Sequence, residues 1–139
     1  PTTNLETWQL MLDLNLSSAF FVARAALPGM LEQGAGKLIF ISSKAGSHPT
    51  ANQAAYAVSK GGLDILVRNL AEETRPGSVN VNAVAASIID TPANRNAEPD
   101  ADYTAWVQPE SIAGVIHFLA SEAARDIHGA IVPVYGKAG

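Results

Sequence analysis

Leu5, Trp8, Leu12, Leu16, Ala19, Phe20, Ala23, Leu27, Met30 and Leu31 recur mostly at steps of three and four residues. That spacing lays an apolar stripe along one side of a helix. Thr3-Asn4-Leu5-Glu6 carries the capping-box pattern that starts one. One break is expected near Asp13 to Asn15. Pro28 should bend or restart the helix unless it falls in a new first turn, and Gly34 and Gly36 stop it. The pattern then changes. Lys37-Leu38-Ile39-Phe40-Ile41-Ser42 is short, β-branched and aromatic, without alternation. Such a run predicts a strand buried on both faces, as in a parallel sheet.

Residues 43–51 read as a loop holding Gly46, His48 and Pro49, and residues 52–73 as one long helix ended by Pro76-Gly77. Val79-Asn80-Val81-Asn82-Ala83-Val84 predicts a second strand. Ala85 to Gln108 is long, polar and proline-containing; loops of that length in compact domains usually carry function. Pro109-Glu110-Ser111 opens another helix, with Ile112, Val115, Ile116 and Leu119 as its buried face. Ala130 to Val134 predicts a third strand, placed at a sheet edge by Pro133. Helix and strand alternate, so the fold class is α/β, a parallel sheet with crossover helices. Ligands gather at the carboxyl ends of such strands. Those ends fall at Ser43, at 85–91 and at Tyr135-Gly136, on the side where the 52–73 helix begins. The topology therefore brings Ser43, Tyr56, Lys60 and the long loop together.

The 139 residues suit one domain with a real core. A net charge of -4 offers no basic patch to nucleic acid or to an anionic membrane. With no cysteine, disulfides, thiolate catalysis and Cys-ligated metal are excluded, which agrees with a cytoplasmic location. His48, His117 and His128 share no metal spacing, so no metal site is expected and each serves packing or solvent. Lys44 and Arg95 read as solvated. Ala19 to Leu27, interrupted by Arg24, is no membrane span.

The chemistry centres on Tyr56-Ala57-Val58-Ser59-Lys60. Tyr56 and Lys60 are four apart, one turn from each other on one helix face. A phenol titrates near 10; a fixed ammonium beside it favours the phenolate, so the pair could exchange a proton with an alcohol or carbonyl. In isolation the pattern is common, and a core tyrosine beside a solvated lysine explains it equally well.

The flanks decide. Ile41-Ser42-Ser43-Lys44-Ala45-Gly46 resembles the serine-strand motif of the short-chain dehydrogenase/reductase family, with Ser43 thirteen residues before Tyr56. Leu14-Asn15-Leu16 resembles the helix motif carrying its catalytic asparagine. Residues 80–84 are similar to its sixth strand, Asp90-Thr91-Pro92 to the cofactor-touching turn after it, and 128–136 to its last strand. The resemblance implies a Rossmann-like domain over residues 1–139 and NAD or NADP as cofactor. It implies an oxidoreductase interconverting a small-molecule carbonyl and a secondary alcohol. In that resemblance Tyr56 is the acid/base, and Lys60 supports it and holds the nicotinamide ribose. Ser43 binds the substrate oxygen, Asn15 holds a relay water, and Ile88 and Thr91 touch the cofactor. Gly61-Gly62 fits close helix approach, either across a homodimer or homotetramer interface or inside one subunit.

Three departures matter. No Gly-x-x-x-Gly-x-Gly and no Asn-Ala-Gly occur, so the N-terminal strands and the glycine-rich motif are absent from the sequence, which resembles the C-terminal part of such an enzyme. A fragment is expected, because three strands with one helix layer leave an open sheet edge. Ala86-Ser87 stands where the family has Pro-Gly, and Tyr135-Gly136-Lys137 where it has Asp-Gly-Gly; Tyr135 lines the site, a subunit contact or the sheet. Two alternatives stay open: a non-catalytic truncated half serving as a dimerisation module, and an enzyme like dihydropteridine reductase. In the latter Tyr103 and Trp106 would wall a flat ring; the plainer reading is that they pin the loop to the core.

Overall fold

The computed structural model describes residues 3–137. Helix α1 (Leu5–Leu12), a π-turn (Asp13–Ser17) and α2 (Ser18–Gln33) form one continuous rod, so the break expected near Asp13 is a widened turn rather than an interruption. The cap is Asn4, whose Oδ1 accepts from the Thr7 amide at 2.7 Å, in place of Thr3. Pro28 is carried inside α2 without ending it. Gly34 ends it: at φ 72° it takes the left-handed conformation, and the amides of Gly34 and Ala35 return to Leu31 and Met30. The rod from Leu5 to Gln33 has 29 residues and contains an 18-residue stretch of mean hydropathy 1.4, long and apolar enough by length and composition to cross a membrane. The sequence reading weighs only Ala19 to Leu27, interrupted by Arg24; the continuous helix is longer than that stretch. Its inner stripe, Ala19, Ala23 and Leu27, is packed into the core.

Strands β1 (Gly36–Ser43), β2 (Val79–Ala86) and β3 (Ile131–Val134) form a parallel sheet in that order, with Ser43 level with Ala86 and Ala86 with Val134. Between them run α3 (Ala54–Thr74), α4 (Pro92–Ala97) and α5 (Pro109–Ala120). Helix α3 begins two residues later than the pattern suggests, because Asn52 is left-handed at φ 63°.

Period-two alternation sorts the strands into two cores. Leu38, Phe40, Val79, Val81 and Ala83 meet α2 and α3. Val84 and Ala86 meet Ile112 and Leu119 of α5, with Val107. Two helix layers thus cover the sheet, where one was expected. Asn82 is satisfied on the α5 side: its amide donates to Ile127 O at 2.9 Å and accepts from Ala130 N at 2.9 Å. Strand β1 is not buried on both faces, since Ile41 is 43% exposed. Among the described residues, β1 pairs only with β2. The span 85–108 is also less loop-like than expected. β2 extends to Ala86, α4 and a short 3-10 turn (Tyr103–Ala105) follow, and Ile89 bridges Val107.

Candidate functional site

Ser43 ends β1, and its backbone is still extended there. Its Oγ accepts from the Ala45 amide at 3.2 Å, which leaves the hydroxyl proton for another acceptor. Tyr56 sits in the first turn of α3. Both line one cleft of about 570 Å³, together with Ser87, Ile88 and Ile89 from the end of β2 and Asn94 from α4. The cleft lies beyond the carboxyl ends of the strands, as the topology requires.

Lys60 lies one turn further along the same face of α3. It lines a second, smaller groove with Asn15, between the π-turn and β1. Its Nζ donates to the Ile41 carbonyl at 2.8 Å and stands 5.9 Å from the centroid of the Tyr56 ring. Burial pushes the ammonium below its ordinary value, and the Asp64 carboxylate opposes that. Asn15 projects from the π-turn and donates to Met11 O at 3.1 Å; π-turns of this kind recur at functional sites. The four residues therefore occupy two adjoining cavities, with the Tyr56–Lys60 pair as the link.

Not every expected residue reaches the cleft. Ile88 lines it. Thr91 does not: its Oγ1 caps α4 by accepting from Asn94 N at 3.2 Å, and it faces a neighbouring cavity with Asp90 and Arg95. Tyr103 and Trp106 do not line it either. Their rings lie 4.8 Å apart, and Trp106 is buried. The Tyr103 hydroxyl turns to the carbonyls of Arg95, Glu98 and Pro99, so the pair pins the loop. Arg95 is solvated, as expected, and also engaged. It forms two hydrogen bonds with Asp90, at 2.5 and 2.7 Å, and its guanidinium lies 4.6 Å from the Tyr103 ring centroid. Lys44 and His48 both line the cleft. Tyr135 holds them there: its ring lies 5.6 Å from Lys44 Nζ and 6.2 Å from the His48 ring. His128 serves packing, accepting from Val81 N at 3.2 Å and donating to Ala71 O at 2.7 Å.

Some support residues carry no sequence signal of their own. Asp64 is 5% exposed and accepts a 2.5 Å hydrogen bond from Ser42, which joins α3 to the end of β1. Burial pushes its carboxyl up; Ser42, Arg68 and Lys60 pull it down. The only available cue was an acid at the position that repeats Tyr56 and Lys60 in steps of four. Ser87, in place of the family's glycine, donates to Tyr135 O at 2.7 Å and ties the ends of β2 and β3 together. The two glycines of α3 are explained within the chain: Gly61 abuts Gly46, and Gly62 abuts Leu16.

A family model described as enoyl-(acyl carrier protein) reductase matches residues 1–136. The 3-oxoacyl-(acyl-carrier-protein) reductase MabA of Mycobacterium tuberculosis is 37% identical over 142 residues, which cover 96% of this chain and 58% of that protein. FabG of Pseudomonas aeruginosa, with the same activity in its name, is 37% identical over 94% of this chain and 56% of its own. A structure from Beutenbergia cavernae superposes with a TM-score of 0.89 at 33% identity, over 97% of this chain and 58% of that one; it is described as a candidate NAD(P)-dependent gluconate 5-dehydrogenase with NADP at low occupancy. A short-chain type dehydrogenase/reductase from Mycobacterium ulcerans gives 0.91 at 29% identity, over 98% and 53%. The chain spans a little over half the length of these relatives.

Proposed function

The chain belongs to the short-chain dehydrogenase/reductase family, and from that premise we propose that the protein is an NAD(P)-dependent oxidoreductase interconverting a carbonyl and a secondary alcohol at the Ser43–Tyr56 cleft. The observation that carries this reading is the pairing in one cleft of a hydroxyl with a free proton and a phenol backed by a half-buried ammonium. The residues fit the reacting end of a dinucleotide. About 570 Å³ accommodates a nicotinamide ring with a small substrate, and Ile88 supplies an apolar wall. When bound, the nicotinamide gives or takes the hydride.

Every proton step falls to this chain. Tyr56 gives its phenolic proton to the carbonyl oxygen in reduction and removes one from the alcohol in oxidation. Ser43 donates to the same oxygen and stabilises the charge that develops on it. Lys60 places its positive charge beside the ring and offers N–H donors to the ribose. Asn15, in the groove with Lys60, positions water that returns the proton to solvent. The exposed Phe21, Val22 and Ile65 on the outer faces of α2 and α3 support assembly as a homodimer or homotetramer.

The test is Tyr56→Phe in the intact protein. Dinucleotide binding by fluorescence titration should be retained, while turnover falls by about 10²–10⁴-fold. Turnover at the parent rate overturns the reading.

A further inference from the structure

We infer that Tyr135 couples the two walls of the Ser43–Tyr56 cleft and sets their spacing, as a positioning residue that decides how tightly the cleft holds a carbonyl substrate. The inference rests on the oxidoreductase reading above and adds to it a residue that stands behind the cleft lining.

One wall is the stretch between β1 and α3, with Lys44 and His48. The other is the end of β2 with α4, and includes Ser87 and Asn94. The segment that leaves β3 touches both. On the first wall, the Tyr135 ring meets the His48 ring edge-on, at 81° and 6.2 Å between centroids, and lies 5.6 Å from Lys44 Nζ. Both distances are within the range where an aromatic face attracts its neighbour. On the second wall, Ser87 Oγ donates to the Tyr135 carbonyl at 2.7 Å, and the Ser87 amide donates to Val134 O at 3.3 Å. The ring of one residue thus holds one wall while its backbone holds the other.

The next two residues fix the ring in that place. Gly136 turns the chain at φ 60°, and a Cβ there would stand 3.1 Å from Ala105 O and from Val107 Cγ2. Lys137 N then donates to Ala105 O at 3.2 Å. The segment is thereby strapped to the 103–107 stretch, and the ring cannot swing off the first wall without breaking these contacts. Ser87 and Tyr135 are also two of the positions at which the chain departs from the family pattern, and they touch each other. Among the described residues the Tyr135 hydroxyl has no hydrogen-bond partner, so the strap uses the ring and the backbone.

The reacting groups are anchored independently of Tyr135. Gly46 abuts Gly61, which seats the turn after Ser43 on α3, the helix that carries Tyr56 and Lys60. Loss of the ring should therefore loosen the wall beyond Ser43 and leave the chemical step in place.

Hydrogen–deuterium exchange of the intact protein, read by mass spectrometry, tests the coupling without a substrate. The reporters are the amides of Ser47 and His48, both held by Lys44 O, at 3.1 and 2.8 Å. Tyr135→Ala should speed their exchange about tenfold, with α2 at the parent rate. Tyr135→Phe should match the parent. Ser87→Ala, across the cleft, should speed the same two amides about threefold, because the ring loses the bond that seats it. Parent rates at Ser47 and His48 in Tyr135→Ala or in Ser87→Ala overturn the inference. So does an equal acceleration in α2, which would make Tyr135 a general stabiliser. With ethyl acetoacetate and reduced dinucleotide, Tyr135→Ala should raise KM about fivefold with kcat within about twofold, and Tyr135→Phe should restore KM; a fall in kcat at the parent KM also overturns it. Exchange needs no turnover, so loss of the oxidoreductase reading, shown by parent-rate turnover in Tyr56→Phe, is distinguished from loss of the coupling.

Discussion

Lys60 Nζ donates a 2.8 Å hydrogen bond to the backbone carbonyl of Ile41, bridging α3 and β1 one turn beyond Tyr56. The bridge settles where the ammonium points. It turns the ammonium toward the groove that it lines with Asn15, behind the cleft of Ser43 and Tyr56.

Replacing Lys60 should therefore act on chemistry and on stability with opposite signs. Burial holds its folded pKa below 10.5. Between the folded value and 10.5 the folded protein binds fewer protons than the unfolded chain, so stability rises with pH across that window. Below it, the charged lysine costs stability. Lys60→Met removes both the cost and the slope, while turnover falls by at least about tenfold. Urea midpoints from pH 7 to 10.5 check the slope; an unchanged slope in the variant would show that Lys60 is not its source.

Asp64 shows the converse. Its folded pKa is raised by burial above 3.8, so the folded state binds more protons between 3.8 and that value. Stability falls as pH rises through the window. Asp64→Asn keeps an acceptor for Ser42 and should lose this fall. It also removes the carboxylate that supports the charge on Lys60, moving the pH–rate limb that reports Lys60 to lower pH. A limb that does not move would separate Asp64 from the site.

The contact between the 3-10 turn (Lys44–Gly46) and α3 predicts a graded glycine series. A Cβ on Gly46 would stand 3.0 Å from the backbone of Lys60 and Gly61, which cannot yield. Gly46→Ala should cost about 1–3 kcal/mol and loosen the segment that carries Lys44. A Cβ on Gly62 meets only the mobile end of Leu16, at 2.9 Å. There the helix propensity gained, about 1 kcal/mol, offsets the crowding. Chemical denaturation of the two variants gives the comparison; equal losses would refute it.

The Asp90 carboxylate, 7% exposed, is held down to about 2 by hydrogen bonds from Arg95 and then Gln108. Its stabilising effect is complete above 3.8 and disappears as pH falls toward 2. Asp90→Asn should flatten that part of the acid-unfolding curve and free α4, seen as faster amide exchange over Pro92–Ala97. Parent-like exchange in the variant would mean that the ion pair does not hold α4.

The helices, the parallel strands and the grouping of Ser43 with Tyr56 at the strand ends were legible in the residue pattern. Each follows from short-range rules. Apolar spacing sets the element, strand–helix alternation sets the sheet, and a four-residue step puts Tyr56 and Lys60 on one helix face. The motifs of Ser43 and Asn15 extended this to residues far apart in the chain.

What the pattern could not supply depends on packing between segments distant in sequence. Lys44 and His48 look like solvated loop residues until Tyr135, some ninety positions later, lies against them. Asp64 looks like a surface acid until Ser42 of β1 covers it. Tyr103 and Trp106 have the composition of a ligand wall, but the carbonyls of 95–99 claim the Tyr103 hydroxyl and Trp106 is buried. Side-chain type limits what a residue can do. Which partner reaches it, and how much water is excluded, follows from the packing of α3, β1 and the 85–108 segment, and that divides a four-residue motif between two cavities.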